Sequence, residues 1–575
     1  FFSPLRRDMR TSLILLVVST IVAAKWWNGR PPGGLVNAPF RHVDSRTDTT
    51  QYPGQIQSTF SQKLDHFDPT DTGRWSQKMF YNPNHADRVL SNGKDIIFLM
   101  IGGEGKESAK WSGDDNVMIM QYAAHFGATV FDLEHRFFGD SRPINDMTTA
   151  TLRLLTTEQA LADLAYFINV MNQQHEFVNP KWVVFGGSYP GALCGMFRSK
   201  YPELTVGGVC SSAPLDLSLD FYQYADVMEY VYTQTPIENK KNMGCADLVR
   251  ESFDLMHQLS LTAEGRDQLN EKLRLNPPFD ANTTKADISN FFSNVFTAHQ
   301  GMIQYTYDGQ STNSKNYLTA AQSCKIYNQD KDVLDNVWDH LVWYSQYEEG
   351  VDITKDGFDN SYGEALKDIA ETDYDKLGEG GSSGRGWMWL CCNEMGWLQT
   401  TDGDSIFGST LPMNFYYDMC MDLFGDFAMP PDLVRDNNKA AIQYYGGLDN
   451  FDATNLCLVN GKFDPWGSLG YYKEDKTKNI VAVVIEGAAH CSDMYAPYDG
   501  EPAGLPAARN QIIAFLEGIL SKPAPPTTSA APTTSVPPTT TMTSTKTSTT
   551  TSSPTTSGAS VAMATVLPIA LYFVL

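Results

Sequence analysis

The run Ile96-Ile97-Phe98-Leu99-Met100-Ile101 carries no polar alternation, the mark of a strand buried on both faces. It leads straight into Gly102-Gly103-Glu104-Gly105. A second run, Ala128-Thr129-Val130-Phe131, precedes Leu133-Glu134-His135-Arg136. Ala160, Leu161, Leu164, Ile168 and Met171 recur at helical spacing and predict a helix over about 157–174. A third strand, Lys181-Trp182-Val183-Val184-Phe185, runs into Gly186-Gly187-Ser188-Tyr189-Pro190-Gly191 and another helix. Strands alternating with helices predict a parallel sheet covered on both sides. After Pro214 the texture changes, and residues 216–440 are rich in Asp, Asn, Tyr and Met with helical patterns. Sheet-like runs return at 455–459 and 480–485, before a closing helix at about 503–520. The pattern predicts one α/β core, 56–215 and 441–521, interrupted by a helical insertion at 216–440. Such an insertion lies over the carboxyl edge of the sheet, where open α/β folds bind ligands.

The ends read differently. Residues 1–8 precede Met9 and are read as upstream sequence; Met9-Arg10-Thr11 and the apolar run Leu13–Ala24 have the form of a signal peptide at 9–24. Residues 25–55 are polar with scattered Pro and Gly, a pro-segment or N-terminal arm. Residues 522–557 are almost only Pro, Thr, Ser and Ala, a mucin-like stalk. The tail 558–575, small residues and then an apolar stretch, has the form of a GPI-attachment signal. Of 575 residues, 43 are Lys or Arg and 67 Asp or Glu, for a formal net charge of −24. That balance argues against a nucleic-acid partner, which needs a basic footprint. Hydrophobic residues at 42% and aromatics at 12% suffice for a sizeable core. Nine cysteines allow disulfides and leave at least one thiol unpaired.

The glycine-flanked Ser188 stands where a strand turns sharply into a helix, the setting of a nucleophile elbow. Pro190 occupies the position of the second glycine of G-x-S-x-G, and Gly191 follows one residue later. In this chain order an acid and then a histidine must follow the serine. His257, His299 and His340 fall in the insertion, whereas His490 follows the strand at 480–485. Asp464 ends the preceding strand; Asp449 and Asp452 come before that strand begins. Ser188, Asp464 and His490 are therefore the expected triad. Tyr189 N–H and an N–H of Gly103 or Glu104 are the expected oxyanion donors. No metal or cofactor motif is present in this reading.

These residues resemble the eukaryotic serine peptidase family of lysosomal Pro-X carboxypeptidase, dipeptidyl peptidase II and thymus-specific serine protease, over about residues 57–520. The resemblance rests on Gln62-Lys63-Leu64-Asp65-His66-Phe67, Gly102–Gly105, Glu134-His135-Arg136-Phe137-Phe138-Gly139 and Glu158-Gln159-Ala160-Leu161-Ala162-Asp163. It includes Gly186–Tyr189, Ser212-Ala213-Pro214, Asn460–Trp466 and Ala489-His490-Cys491. Gly-Gly-Glu-Gly and His-Cys tilt it toward the thymus-specific branch. It implies an α/β-hydrolase core with a mostly helical cap insertion, a Ser188–Asp464–His490 triad, and exopeptidase action next to proline, often at acid pH. Disulfides Cys245–Cys324 and Cys392–Cys420 are also implied, with Cys194 and Cys210 as buried free thiols and Cys391, Cys457 and Cys491 unassigned. The substrates implied are proline-containing peptides; a GPI tether and a homodimer are left open. Glu104 is placed to meet a substrate ammonium, and Trp466 to wall a proline pocket. Arg136 could meet a carboxylate, but an ion pair with Glu134 or Asp140 is the favoured reading. Asn282-Thr283-Thr284 is a glycosylation sequon. Location in the secretory pathway, extracellular or at the cell surface, is expected, with the lysosome as alternative. The competing readings are a non-catalytic surface binding protein on a hydrolase scaffold, and a lipase or esterase.

Overall fold

The unbroken apolar runs become the middle of a sheet. A computed structural model of the chain describes residues 26–31, 52–238, 243–307, 318–346, 352–425 and 428–521. The expected signal peptide, stalk and tail, with residues 1–8 and most of the 25–55 arm, lie outside the described residues. Eight strands form the sheet: β1 (Ile56–Lys63), β2 (Arg74–Asn82), β3 (Ile96–Ile101), β4 (Ala128–Leu133), β5 (Lys181–Gly187), β6 (Gly207–Ser211), β7 (Leu456–Gly461) and β8 (Ile480–Ile485). Their spatial order is β1-β2-β4-β3-β5-β6-β7-β8. Only β2 runs against the rest, pairing antiparallel with both β1 and β4. This order, with one reversed strand, is the α/β-hydrolase topology.

The lack of alternation in β3 has a direct cause: both faces are covered. Ile97, Leu99 and Ile101 enter one apolar cluster with Leu161, Leu164 and Ile168 of helix α1 (Thr157–Gln174). Ile96, Phe98 and Met100 enter a second cluster with Leu505, Ile512 and Leu516 of the closing helix, Gly504–Ser521. The β1–β2 hairpin was not foreseen, because β1 is an edge strand with an exposed first half and no apolar run. Nor was β6, whose Gly207-Gly208-Val209-Cys210-Ser211 is glycine-rich yet wholly buried.

Among the described residues between β6 and β7 the regular structure is helical apart from a two-residue parallel pair, Leu275–Asn276 with Phe358–Asp359. The helices include α3 (Gln223–Gln234), α4 (Lys285–Gln304) and α5 (Tyr374–Leu390), numbered after α2 (Tyr189–Lys200), which follows β5. Met228, Phe296 and Trp387 from this insertion belong to the same apolar cluster as Leu99 and Leu161. The insertion therefore shares its core with one face of the sheet.

Candidate active site

Ser188 links β5 to α2 with φ 65° and ψ −130°. That left-handed conformation is strained for a side-chain-bearing residue and is held by its surroundings. Ser188 N donates to Ser211 O at 2.9 Å, and Ala192 N donates to Ser188 O at 3.0 Å. A Cβ on Gly186 would lie 2.2 Å from Pro190 O, so only glycine lets the chain double back here. Pro190 sits in the first turn of α2, where a missing N–H has no helical partner to lose. The shifted glycine thus leaves the elbow intact.

His490, in the loop after β8, and Asp464, after β7, are joined by a buried hydrogen bond, Nδ1 to Oδ1, of 2.8 Å. Asp464 Oδ1 also accepts from Trp466 N at 3.0 Å. A carboxylate at Nδ1 places the ring proton there and leaves Nε2 as the basic lone pair. Ser188 Oγ and His490 Nε2 are each buried without a hydrogen-bond partner among the described residues. The Asp–His half of the expected triad is therefore bonded, and the Ser–His half is not hydrogen-bonded in this conformation. Such contacts often tighten only around substrate. The histidine loop does pack on the elbow: a Cβ on Gly187 would stand 3.0 Å from Cys491 Sγ. Cys491 N donates to Ser212 Oγ at 2.9 Å, just beyond the Ser211 carbonyl that fixes Ser188.

The expected oxyanion loop touches the same turn. A Cβ on Gly103 would lie 2.7 Å from Pro190 Cγ, which seats Gly103 on the first turn of α2. Glu104 is buried, and its carbonyl accepts from Arg30 Nε at 2.6 Å. Tyr189 packs edge-on against both Trp387 and Trp397, at 6.0 and 6.2 Å, and its hydroxyl meets His135 Nε2 at 3.1 Å. Burial holds His135 down to about 4, so it is a neutral partner. Trp466 is fully buried among Phe221, Trp397 and His490, and its Nε1 donates to Gln304 Oε1 at 3.0 Å.

Gln304, at the end of α4, is a residue the sequence did not single out. Its carbonyl accepts from His490 N at 3.0 Å, and its side chain accepts from Tyr224 Oη at 2.6 Å. The insertion thereby holds the histidine loop directly. Asp493 was also missed: it is buried, accepts from Ser211 Oγ at 2.6 Å, and burial pushes its carboxyl up to about 6.

Two expectations are corrected. Arg136 pairs with Asp163, Nε to Oδ2 and Nη2 to Oδ1 both at 2.6 Å, rather than with Glu134 or Asp140. Glu134 instead accepts from Lys78, Glu107 N, Asp140 N and Ser141. Cys194 and Cys210 are not free thiols but a disulfide with Cα atoms 5.7 Å apart, joining α2 to β6. The other two pairs, Cys245–Cys324 and Cys392–Cys420, are present, and Cys391, Cys457 and Cys491 are free and buried. Of the remaining candidates, His299 and His340 stack at 4.5 Å inside the insertion, and Asp452 pairs with Lys478 at 3.1 Å. Asn282 is exposed, as a glycan acceptor must be.

The serine carboxypeptidase S28 family matches residues 62–512. The Caenorhabditis elegans protein F56F10.1, which carries a provisional serine-protease name, is 49% identical over 515 residues, 87% of this chain and 92% of that protein. Thymus-specific serine protease of Mus musculus is 29% identical over 484 residues, 81% of this chain and 88% of that protein. Lysosomal Pro-X carboxypeptidase of Homo sapiens is 28% identical over 470 residues, 78% of this chain and 85% of that protein.

Proposed function

The chain belongs to the serine carboxypeptidase S28 family and is a serine peptidase, and from that premise we propose that Ser188, His490 and Asp464 cleave peptide bonds next to proline at a chain end. The observation that carries the triad is the buried Asp464–His490 bond of 2.8 Å beside a serine at φ 65°. His490 Nε2 takes the Ser188 proton as Oγ attacks the scissile carbonyl. The oxyanion is met by Tyr189 N–H and by an N–H of Gly103 or Glu104. His490 then protonates the leaving amine, and water hydrolyses the acyl-enzyme by the same route.

The name of the human relative supports the preference for proline, and Trp466, its ring 6.3 Å from that of His490, is proposed to wall the proline pocket. A roofed cleft admits a chain end and excludes a folded loop, which favours exopeptidase action. Glu104 is proposed to hold a free ammonium, and Glu104→Gln should then slow a free-amine substrate and spare a blocked one. Three disulfides fit an oxidising compartment, the secretory pathway or the lysosome. Display at the cell surface is proposed from the stalk and tail composition alone.

The test compares the protein with a Ser188→Ala control on proline-containing peptides bearing free or blocked ends, with products read by mass spectrometry. Loss of a C-terminal residue after proline means carboxypeptidase, and release of an N-terminal Xaa-Pro pair means dipeptidyl peptidase. Absence of Ser188-dependent cleavage from acid to neutral pH overturns the reading and leaves a binding protein on a hydrolase scaffold.

A further inference from the structure

Six residues near the start of the chain reach residues that flank the candidate triad. Trp27 N donates to Arg30 O at 3.0 Å and Arg30 N to Trp27 O at 2.9 Å, closing a two-residue hairpin. Its central residues, Asn28 at φ 46° and Gly29 at φ 73°, have the paired positive φ of a type I′ turn, for which Asn-Gly is the favoured sequence. The turn has a socket. Asn28 Nδ2 donates to Trp397 O at 2.8 Å, and Asn28 Oδ1 accepts from Gln399 N at 2.9 Å. Asn28 O accepts from Trp387 Nε1 at 3.3 Å. A Cβ on Gly29 would fall 2.2 Å from Gln399 Nε2, so a side chain at the tip, already strained at φ 73°, would have to displace the Gln399 amide.

The flanks reach both sides of the candidate triad. Arg30 is buried and holds the Glu104 carbonyl, in the expected oxyanion loop, at 2.6 Å. On the other side the Trp26 ring lies 6.4 Å from Tyr305, whose ring lies 6.1 Å from His490. Trp27 packs where a Cβ on Gly384 would be 2.8 Å from its Cδ1. One short segment thus touches the loop before the elbow, the insertion above it and the tyrosine that meets the histidine edge-on.

We propose that this cleft is a binding site for a turn-forming Trp-Asn-Gly-Arg peptide, and that the chain's own Trp26–Pro31 fills it in cis and closes the Ser188 centre. The regulatory part of this rests on the peptidase reading above; the binding part does not. A tethered segment acts at an effective concentration of order millimolar, whereas a severed one is diluted to the protein's own concentration. A cut between Pro31 and Tyr52 is therefore enough to open the cleft, and Arg41 and Arg46 are tryptic sites there.

The full chain, Gly29→Val and Arg30→Ala are compared, and the wild-type chain is also nicked with trypsin. Gly29→Val drives a side chain into Gln399, and Arg30→Ala removes the hold on Glu104. Two rates are read: labelling of Ser188 by a fluorophosphonate, and binding of a fluorescent Trp26–Pro32 peptide by anisotropy. The two variants and the nicked chain should label at least about tenfold faster than the intact chain, as expected for loss of a tethered ligand. They should bind the peptide saturably, where the intact chain does not, and excess peptide should slow labelling again. Equal labelling of a chain that does cut substrate, or peptide binding that ignores the nick, overturns the proposal. If no form labels or cuts substrate but opened forms alone bind the peptide, the site stands and the peptidase reading fails. Should a variant melt without a cooperative transition, the nicked wild-type chain decides.

Discussion

At the scale of single residues, the arrangement turns on which atoms of His490 are satisfied. Asp464 occupies Nδ1 at 2.8 Å and fixes the tautomer, so its removal as a charge should injure the reaction more than the fold. Asp464→Asn keeps the shape but presents an amide that can donate to Nδ1, turning the proton onto Nε2. A drop in kcat of about 10⁴-fold with KM little changed is expected, as for the same change in other serine triads. Peptide hydrolysis and a thermal melt check it, and an undiminished kcat would remove Asp464 from the mechanism. Ser188, Asp464 and His490 were picked out by order along the chain and position at strand ends, and the structure joins two of them, Asp464 and His490. Arg136 shows the limit of such reading. Its neighbours Glu134 and Asp140 are closest in sequence, yet its partner Asp163 comes from α1, along with His66 from the loop after β1 at 2.7 Å from the same carboxylate. Burial would raise Asp163, but the Arg136 guanidinium and its hydrogen bonds outweigh that and hold the carboxyl below the usual range. Partners across 27 residues are set by packing that local sequence does not encode.

At the scale of elements, the β5–α2 turn makes a prediction from two adjacent glycines. A Cβ on Gly186 would meet backbone, Pro190 O at 2.2 Å, which can move only if the first turn of α2 moves. A Cβ on Gly187 would meet Met494 Sδ at 2.3 Å, the far part of a flexible side chain. Gly186→Ala should therefore abolish activity and lower the melting temperature sharply, while Gly187→Ala should fold and retain part of its turnover. Parallel expression, melting and fluorophosphonate labelling decide it; the reverse order would mean the turn is not held by Pro190. The elements that carry the site were visible as runs without alternation, because a strand covered on both faces has nowhere to put a polar residue. Those that escaped notice lacked such runs. Edge strand β1 is half exposed, and β6 is built on glycines that let it lie close to its neighbours, where a Cβ on Gly208 would meet Cys194 Sγ at 2.9 Å. That closeness also accounts for the Cys194–Cys210 disulfide, which no spacing rule foretells.

At the scale of the whole molecule, buried ionisable groups set how stability depends on pH. Burial pushes Glu107 up to about 8, Glu394 up to about 7 and Asp493 up to about 6. Each keeps its proton when folded after the unfolded chain has released its own near the ordinary carboxyl value. Stability is therefore lost as pH rises through those windows. Burial acts oppositely on histidine, holding His135 down to about 4 and His340 down to about 3. The unfolded chain protonates these first, so their contribution grows as pH rises toward the ordinary 6.5. The two sets oppose each other between the carboxyl and histidine values. Above 6.5 the histidines are neutral in both states, while Glu107 and Glu394, and with them Asp132, which burial also pushes well up, remain to lose protons. The net charge of −24 adds self-repulsion in the same direction. Melting temperatures should thus be highest in mildly acid buffer and fall by several degrees between about pH 6.5 and about pH 8, a window set by these groups. Glu107→Gln has no proton to lose and should flatten that limb while leaving the acid side unchanged. Calorimetry from pH 4 to 8 reads both; a melting temperature that climbs steadily to pH 8 would mean that burial of these carboxyls does not govern the fold. The same profile suits a peptidase of an acidic compartment, since the carboxyls that destabilise it at neutral pH are uncharged there.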